Sequence, residues 1–126
     1  MSLLLDTQVL LWCLGAPDRL ASKARRRIES AREVVFVSVV SAWEIEIKRA
    51  LGKLEAPSDL VQQLAEKRFT ELALRLSHVT RLGALPTLHR DPFDRMLVAQ
   101  AQADELTLVT ADEQVLEYPV KTLAAG

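Results

Sequence analysis

Short aliphatic runs with no polar face, set between longer stretches of helical periodicity, constrain this chain more than any other feature. Leu3-Leu4-Leu5 and Val34-Val35-Phe36-Val37 are apolar at every position, and Leu106-Thr107-Leu108-Val109 nearly so. Strands apolar on both sides must be covered on both sides, which implies a parallel sheet between two helical layers. The expected strands are 3–5, 34–37, a weaker 72–74, 106–109 and a short one at Val120. Helical patterns lie near 8–13, 19–32, 40–52, 58–68, 78–84 and 92–104. The expected fold class is α/β: a mostly parallel central sheet of about five strands with helices on both faces. No repeat, low-complexity stretch or composition shift marks a linker, so 1–126 is read as one domain.

Several classes fall away. Cys13 is the only cysteine, which excludes an internal disulfide and a cysteine-rich zinc site; within its apolar stretch it reads as a buried thiol. The opening Met1-Ser2-Leu3-Leu4-Leu5-Asp6 lacks the basic lead of a signal peptide. The run 34–43 is too short to cross a bilayer and is broken by Ser38 and Ser41. A cytoplasmic protein with no membrane partner is the expectation.

In parallel sheets ligands bind beyond the carboxyl ends of the strands. After strand one come Asp6 and Thr7; after strand two, Ser38 and a helix carrying Glu44; after strand four, Thr110-Ala111-Asp112. Asp6 and Asp112 can serve as helix N-caps or as ligands. Glu44 is harder to explain as structure. It falls within the arc of Val40, Trp43, Ile47, Ala50 and Leu51, which reads as the apolar face of its helix, with Ile45 off it. A carboxylate there must be paired, protonated or metal-bound; Lys48, four residues on, is the structural alternative as its partner.

The segment Asp91-Pro92-Phe93-Asp94 opens another helix. Asp91 before proline is a strong N-cap, and Asp94, on the side of Leu97, Val98 and Ala101, is the better ligand candidate; the two can share the work. Asp6, Glu44, Asp94 and Asp112 together suit phosphodiester chemistry. The hard cations Mg²⁺ or Mn²⁺, one or two ions, choose carboxylate and water oxygens and neutralise an anionic substrate. Thr7, Ser38, Ser41, Asp91 and Thr110 can orient ligands from behind, and the hydroxyls can equally be caps.

The net charge of −1 does not favour a polyanion partner, but with four ligands set aside 13 acidic residues face 16 basic ones. Lys48, Arg49, Lys53, Arg90 and Arg95, near the acidic motifs, are candidate backbone contacts. Arg25-Arg26-Arg27 reads as a solvated helix face, and His78 and His89 as weak ligand candidates.

Leu4-Leu5-Asp6-Thr7, Ser41-Ala42-Trp43-Glu44-Ile45, the stretch from Asp91-Pro92-Phe93-Asp94 through Ala101, and Thr110-Ala111-Asp112 together resemble the motifs of PIN-domain ribonucleases. More narrowly, they resemble the VapC-type toxins of bacterial toxin–antitoxin pairs, over nearly the whole chain. The resemblance implies Mg²⁺- or Mn²⁺-dependent endonucleolytic cleavage of RNA, leaving 5′-phosphate and 3′-hydroxyl ends. It also implies a homodimer and a small inhibitory antitoxin. Asp6, Glu44, Asp94 and Asp112 match the family's acidic quartet. Gln8 departs from it, where relatives with this opening often place histidine.

Rival readings turn on single positions. A receiver-type Mg²⁺-binding signalling domain needs an aspartate at the end of strand three, where this chain reads Arg75-Leu76-Ser77. A haloacid-dehalogenase-type phosphatase needs Asp-x-Asp after strand one, where it reads Asp6-Thr7-Gln8. A catalytically inactive PIN-fold binding module keeps the fold but has no need of the intact quartet.

Overall fold

A computed structural model describes residues 2–30, 32–88 and 91–126. Among these described residues five strands form one parallel sheet: β1 (Ser2–Leu5), β2 (Val34–Ser38), β3 (Thr70–Leu72), β4 (Thr107–Thr110) and β5 (Thr122–Ala124), in the order β3-β2-β1-β4-β5. Around it lie α1 (Thr7–Gly15), a 3-10 turn (Pro17–Arg19), α2 (Ser22–Glu29), α3 (Val39–Ala50), α4 (Leu60–Glu66), α5 (Leu76–Leu82), α6 (Pro92–Ala103) and α7 (Glu113–Leu116). Period-two alternation sends Leu3, Leu5, Val35, Val37 and Val109 into one apolar layer, and Leu4, Phe36 and Leu108 into the other. The α/β class with helices on both faces is as the strand pattern requires.

Several boundaries move, for physical reasons. β3 ends at Leu72 because its partner β2 ends at Ser38, which turns to cap α3; residues 73 and 74 are exposed. The fifth strand begins after Pro119, at Thr122 opposite Leu108, and not at Val120. The expected helix 19–32 is a 3-10 turn followed by α2, because Leu20 is extended between them. α7 was not foreseen. The buried face of α3 is Val40, Ser41, Glu44 and Ile45, about a quarter turn from the expected arc. Trp43 is 58% exposed and Ile45 fully buried. The arc was set by apolar side chains, whereas two of the four buried positions are polar.

The chain runs outward from β1 to β3 and then returns across the sheet to β4, so its direction switches between β1 and β4. The residues that follow those two strands stand at that switch.

Candidate active site

Asp6 follows β1 and caps α1, its Oδ1 accepting from the Val9 amide at 2.8 Å. Leu5 pairs with Val109, which brings Thr110 beside it. Thr110 Oγ1 donates to Asp6 Oδ2 at 2.5 Å and accepts from the Asp112 amide at 3.1 Å. Asp112 in turn caps α7 through the Gln114 amide at 2.9 Å. Capping and site formation are thus the same act: the cap geometry aims each carboxylate at the carboxyl edge of the sheet.

On α3, Glu44 is 5% exposed. Thr7 Oγ1 donates to its Oε1 at 2.7 Å, and the Thr7 and Ser41 hydroxyls lie 3.0 Å apart. Lys48 Nζ donates to Glu44 Oε2, so the pairing weighed from the sequence is present. From α6, Asp91 caps the helix through the Phe93 and Asp94 amides at 2.8 and 3.1 Å.

These groups meet in one cleft of about 540 Å³, lined by Asp6, Glu44, Asp91, Asp94 and Asp112 with Thr7, Gln8, Lys48, Trp12 and Arg19 among the rest. Burial pushes the Asp6 carboxyl up to about 6, opposed by its Thr110 and Val9 hydrogen bonds and reinforced by Asp112 and Glu44. Lys48 is held above its usual value by Glu44, with Asp91 and Asp94 adding to the effect. Among the described residues no three His, Cys, Asp or Glu side chains stand grouped as a ready ligand set. Mg²⁺ keeps several waters and takes one or two carboxylates, so an acid-lined, water-accessible cleft suits its chemistry.

Not every candidate reaches this place. Ser38 caps α3 through the Val40 amide and donates to Gln100 Oε1 at 2.5 Å, away from the cleft. Arg49 is turned to Glu46 at 2.5 Å and to the Pro57 carbonyl. Arg95 is half-buried with its Nε shielded, and Lys53 is exposed outside the lining. Arg90 and His89 lie outside the described residues. His78 is fully buried between the Arg75 amide and Asp104, at 3.0 Å from each, and is a core histidine. Cys13 is buried, its thiol pushed up to about 11 by that burial.

Two lining residues escaped the sequence reading. Trp12 lies in the apolar stretch with Cys13 and carries no mark of a site, yet its ring edges the cleft, and its indole N–H is buried with no acceptor among the described residues. Such a donor costs about 1–3 kcal/mol. The Arg19 guanidinium stands over that ring, 5.5 Å from its centroid. The signal available was the proline at 17, which ends α1 and turns Arg19 back onto it.

A family model described as the PIN domain matches residues 3–121. Ribonuclease VapC22 of Mycobacterium tuberculosis is 34% identical over 121 residues, covering 93% of this chain and 92% of its own. Among solved structures, VapBC2 from Rickettsia felis, bound to a promoter DNA fragment, superposes with TM-score 0.71 at 17% identity over 100% of both chains. DNA-bound VapBC from Salmonella typhimurium gives 0.68 at 16% identity over 98% of both. At those identities the structures speak to the fold, and the family match and the relative speak to descent.

Proposed function

The chain belongs to the PIN domain family and within it to the VapC ribonuclease group, and from that premise we propose a Mg²⁺- or Mn²⁺-dependent endoribonuclease that works in the acidic cleft. The observation that carries this reading is the delivery of five carboxylates into one cleft by two strand ends and two helices, with Asp6 pushed up to about 6. A buried carboxylate beside two others is costly unless a cation offsets it.

Asp6, Glu44, Asp94 and Asp112 would hold one or two ions, Asp91 standing beside them at the head of α6. When bound, the metal supplies charge neutralisation at the phosphodiester and a more acidic water. The chain's own residues prepare the place. Thr110 and the Val9 amide hold the two oxygens of Asp6; Thr7 and Lys48 hold those of Glu44. Each carboxylate keeps further lone pairs beyond those bonds. Without a cation the acidic lining would repel RNA.

We assign the whole of 1–126 to this one nuclease domain, acting in the cytoplasm as a homodimer and neutralised by a small antitoxin protein. The similar solved structures being VapBC assemblies supports the antitoxin. No helix among the described residues is long and apolar enough to cross a membrane. The test is cleavage of a mixed RNA pool by antitoxin-free protein in Mg²⁺, Mn²⁺ or EDTA, beside Asp6→Asn. Metal-dependent cutting absent from the variant is expected. A folded protein that binds metal and cuts no RNA would mark a binding module instead.

A further inference from the structure

Only two cations line the cleft among the described residues, against five carboxylates. Lys48 is engaged by Glu44. Arg19 makes no ion pair among the described residues, and its acidic neighbour Asp18 is taken by Arg25 at 3.2 Å. Its guanidinium lies over the Trp12 ring, 5.5 Å from the centroid, a cation–π contact that engages the charge without using up the N–H donors that can meet a phosphate. Among the described residues the Trp12 indole N–H finds no acceptor, so the ring's contribution at the rim is its face.

The placement is rigid. α1 starts at Asp6 and carries Trp12 six residues on, about 9 Å along the axis. The turn bearing Arg19 is tied back by Arg19 N–H to the Ala16 carbonyl at 3.0 Å and Leu20 N–H to that of Pro17 at 3.1 Å. One hydrogen-bonded stretch of backbone thus carries both an acid of the quartet and this cation.

We propose that Arg19, held on Trp12, grips a phosphate of the RNA strand next to the one being cut, and so sets how the strand lies across the acids. The inference rests on the ribonuclease reading above. Bound metal neutralises the reacting phosphate but leaves the next one facing a negative lining. Arg19 is the lining cation available to it, and its side chain, already held against Trp12, has less freedom to lose on binding.

The experiment is steady-state cleavage of a short single-stranded RNA in Mg²⁺ by the full chain, wild type, Arg19→Ala and Arg19→Lys, over a series of salt concentrations. Arg19→Ala should raise KM about tenfold with kcat within about twofold. It should also flatten the dependence of log KM on log salt by about 0.7. Arg19→Lys, which keeps the charge but not the fork, should restore the salt slope and only part of KM. If wild type cleaves and Arg19→Ala matches it in KM and slope, this inference falls and the nuclease reading stands. If wild type neither binds nor cleaves RNA, both fall.

Discussion

Ser38 closes β2 and caps α3, while Asp6 follows β1 and caps α1, yet the two end in different company. Ser38 donates to Gln100; Gln100 reaches the Ala73 carbonyl at 3.3 Å; His78 beside it spans the Arg75 amide and Asp104. Ser38, Gln100 and His78 are all completely buried, and the partners of each lie within the protein. Asp6 is nearly as buried, but its surroundings include Asp112 and Glu44, which raise its proton affinity. A buried polar group with internal partners holds a fold together. A buried charge set against like charges in the lining of a cleft is a cost that the proposed metal site would account for.

Asp6→Asn separates the two regions most sharply. Asparagine can still cap α1 through its one oxygen, while its amide nitrogen faces Thr110 and can only donate there; the side chain is neutral, so metal-dependent RNA cleavage should fall by at least about 10³-fold. The same change should raise metal-free stability at pH 7. Cleavage assays beside urea melts in EDTA read both effects. A variant that loses activity and stability together would mean that Asp6 is held for the fold.

The mirror-image change lies in the other region. Gln100→Ala removes the acceptor of Ser38 and opens a cavity, so unfolding should become easier by about 3 kcal/mol. Activity per folded molecule should hold within about twofold, because none of these groups lines the cleft. A large drop in kcat at unchanged folding would show the two regions to be coupled through α3.

Proton linkage gives the next effect. Asp6 has its carboxyl at about 6 in the folded protein against an ordinary 3.8. Between about pH 4 and 6 the folded state retains a proton that the unfolded chain has lost. Metal-free stability from this group therefore falls as pH rises through that window, by about 3 kcal/mol at most. Urea midpoints across the window in EDTA should slope downward, Asp6→Asn should flatten them, and Mg²⁺ at pH 7 should recover part of the loss. A wild-type profile as flat as the variant's would refute the buried-charge account.

The contrast also separates what a sequence reading can and cannot reach. The sheet was legible because Leu3-Leu4-Leu5 and Val34-Val35-Phe36-Val37 admit few other environments. Asp6 and Asp112 were legible as carboxylates after strands, a position defined along the chain. Glu44 was rightly expected to be buried, but on a face misjudged because Ser41 and Glu44 itself occupy half of it. The Ser38–Gln100–His78 network was not legible: its members stand 62 and 22 residues apart and meet only through the return crossing to α6. Arg19 was hidden by the same limit, since its place depends on a proline turn folding back over Trp12.

The smallest effects come from a matched pair of hydroxyl deletions. Thr7→Val and Ser38→Ala each remove one buried O–H donor, from Glu44 in the first case and from Gln100 in the second. If burial and hydrogen bonding were all that mattered, both should cost stability, about 1 kcal/mol for Thr7→Val and about 2 kcal/mol for Ser38→Ala, which also loses the α3 cap, and both should leave turnover alone. The difference in company says otherwise. Ser38→Ala should show the stability loss alone. Thr7→Val keeps the shape of the side chain but frees one oxygen of Glu44, so cleavage should drop about tenfold, as for other groups that orient a metal-binding carboxylate. Its stability should change less, because the carboxylate it abandons keeps Lys48 and the α3 cap is untouched. Equal and purely structural losses from the two variants would place Thr7 with Ser38, and the line drawn between a satisfied network and a functional one would move to Asp6 and Asp112 alone.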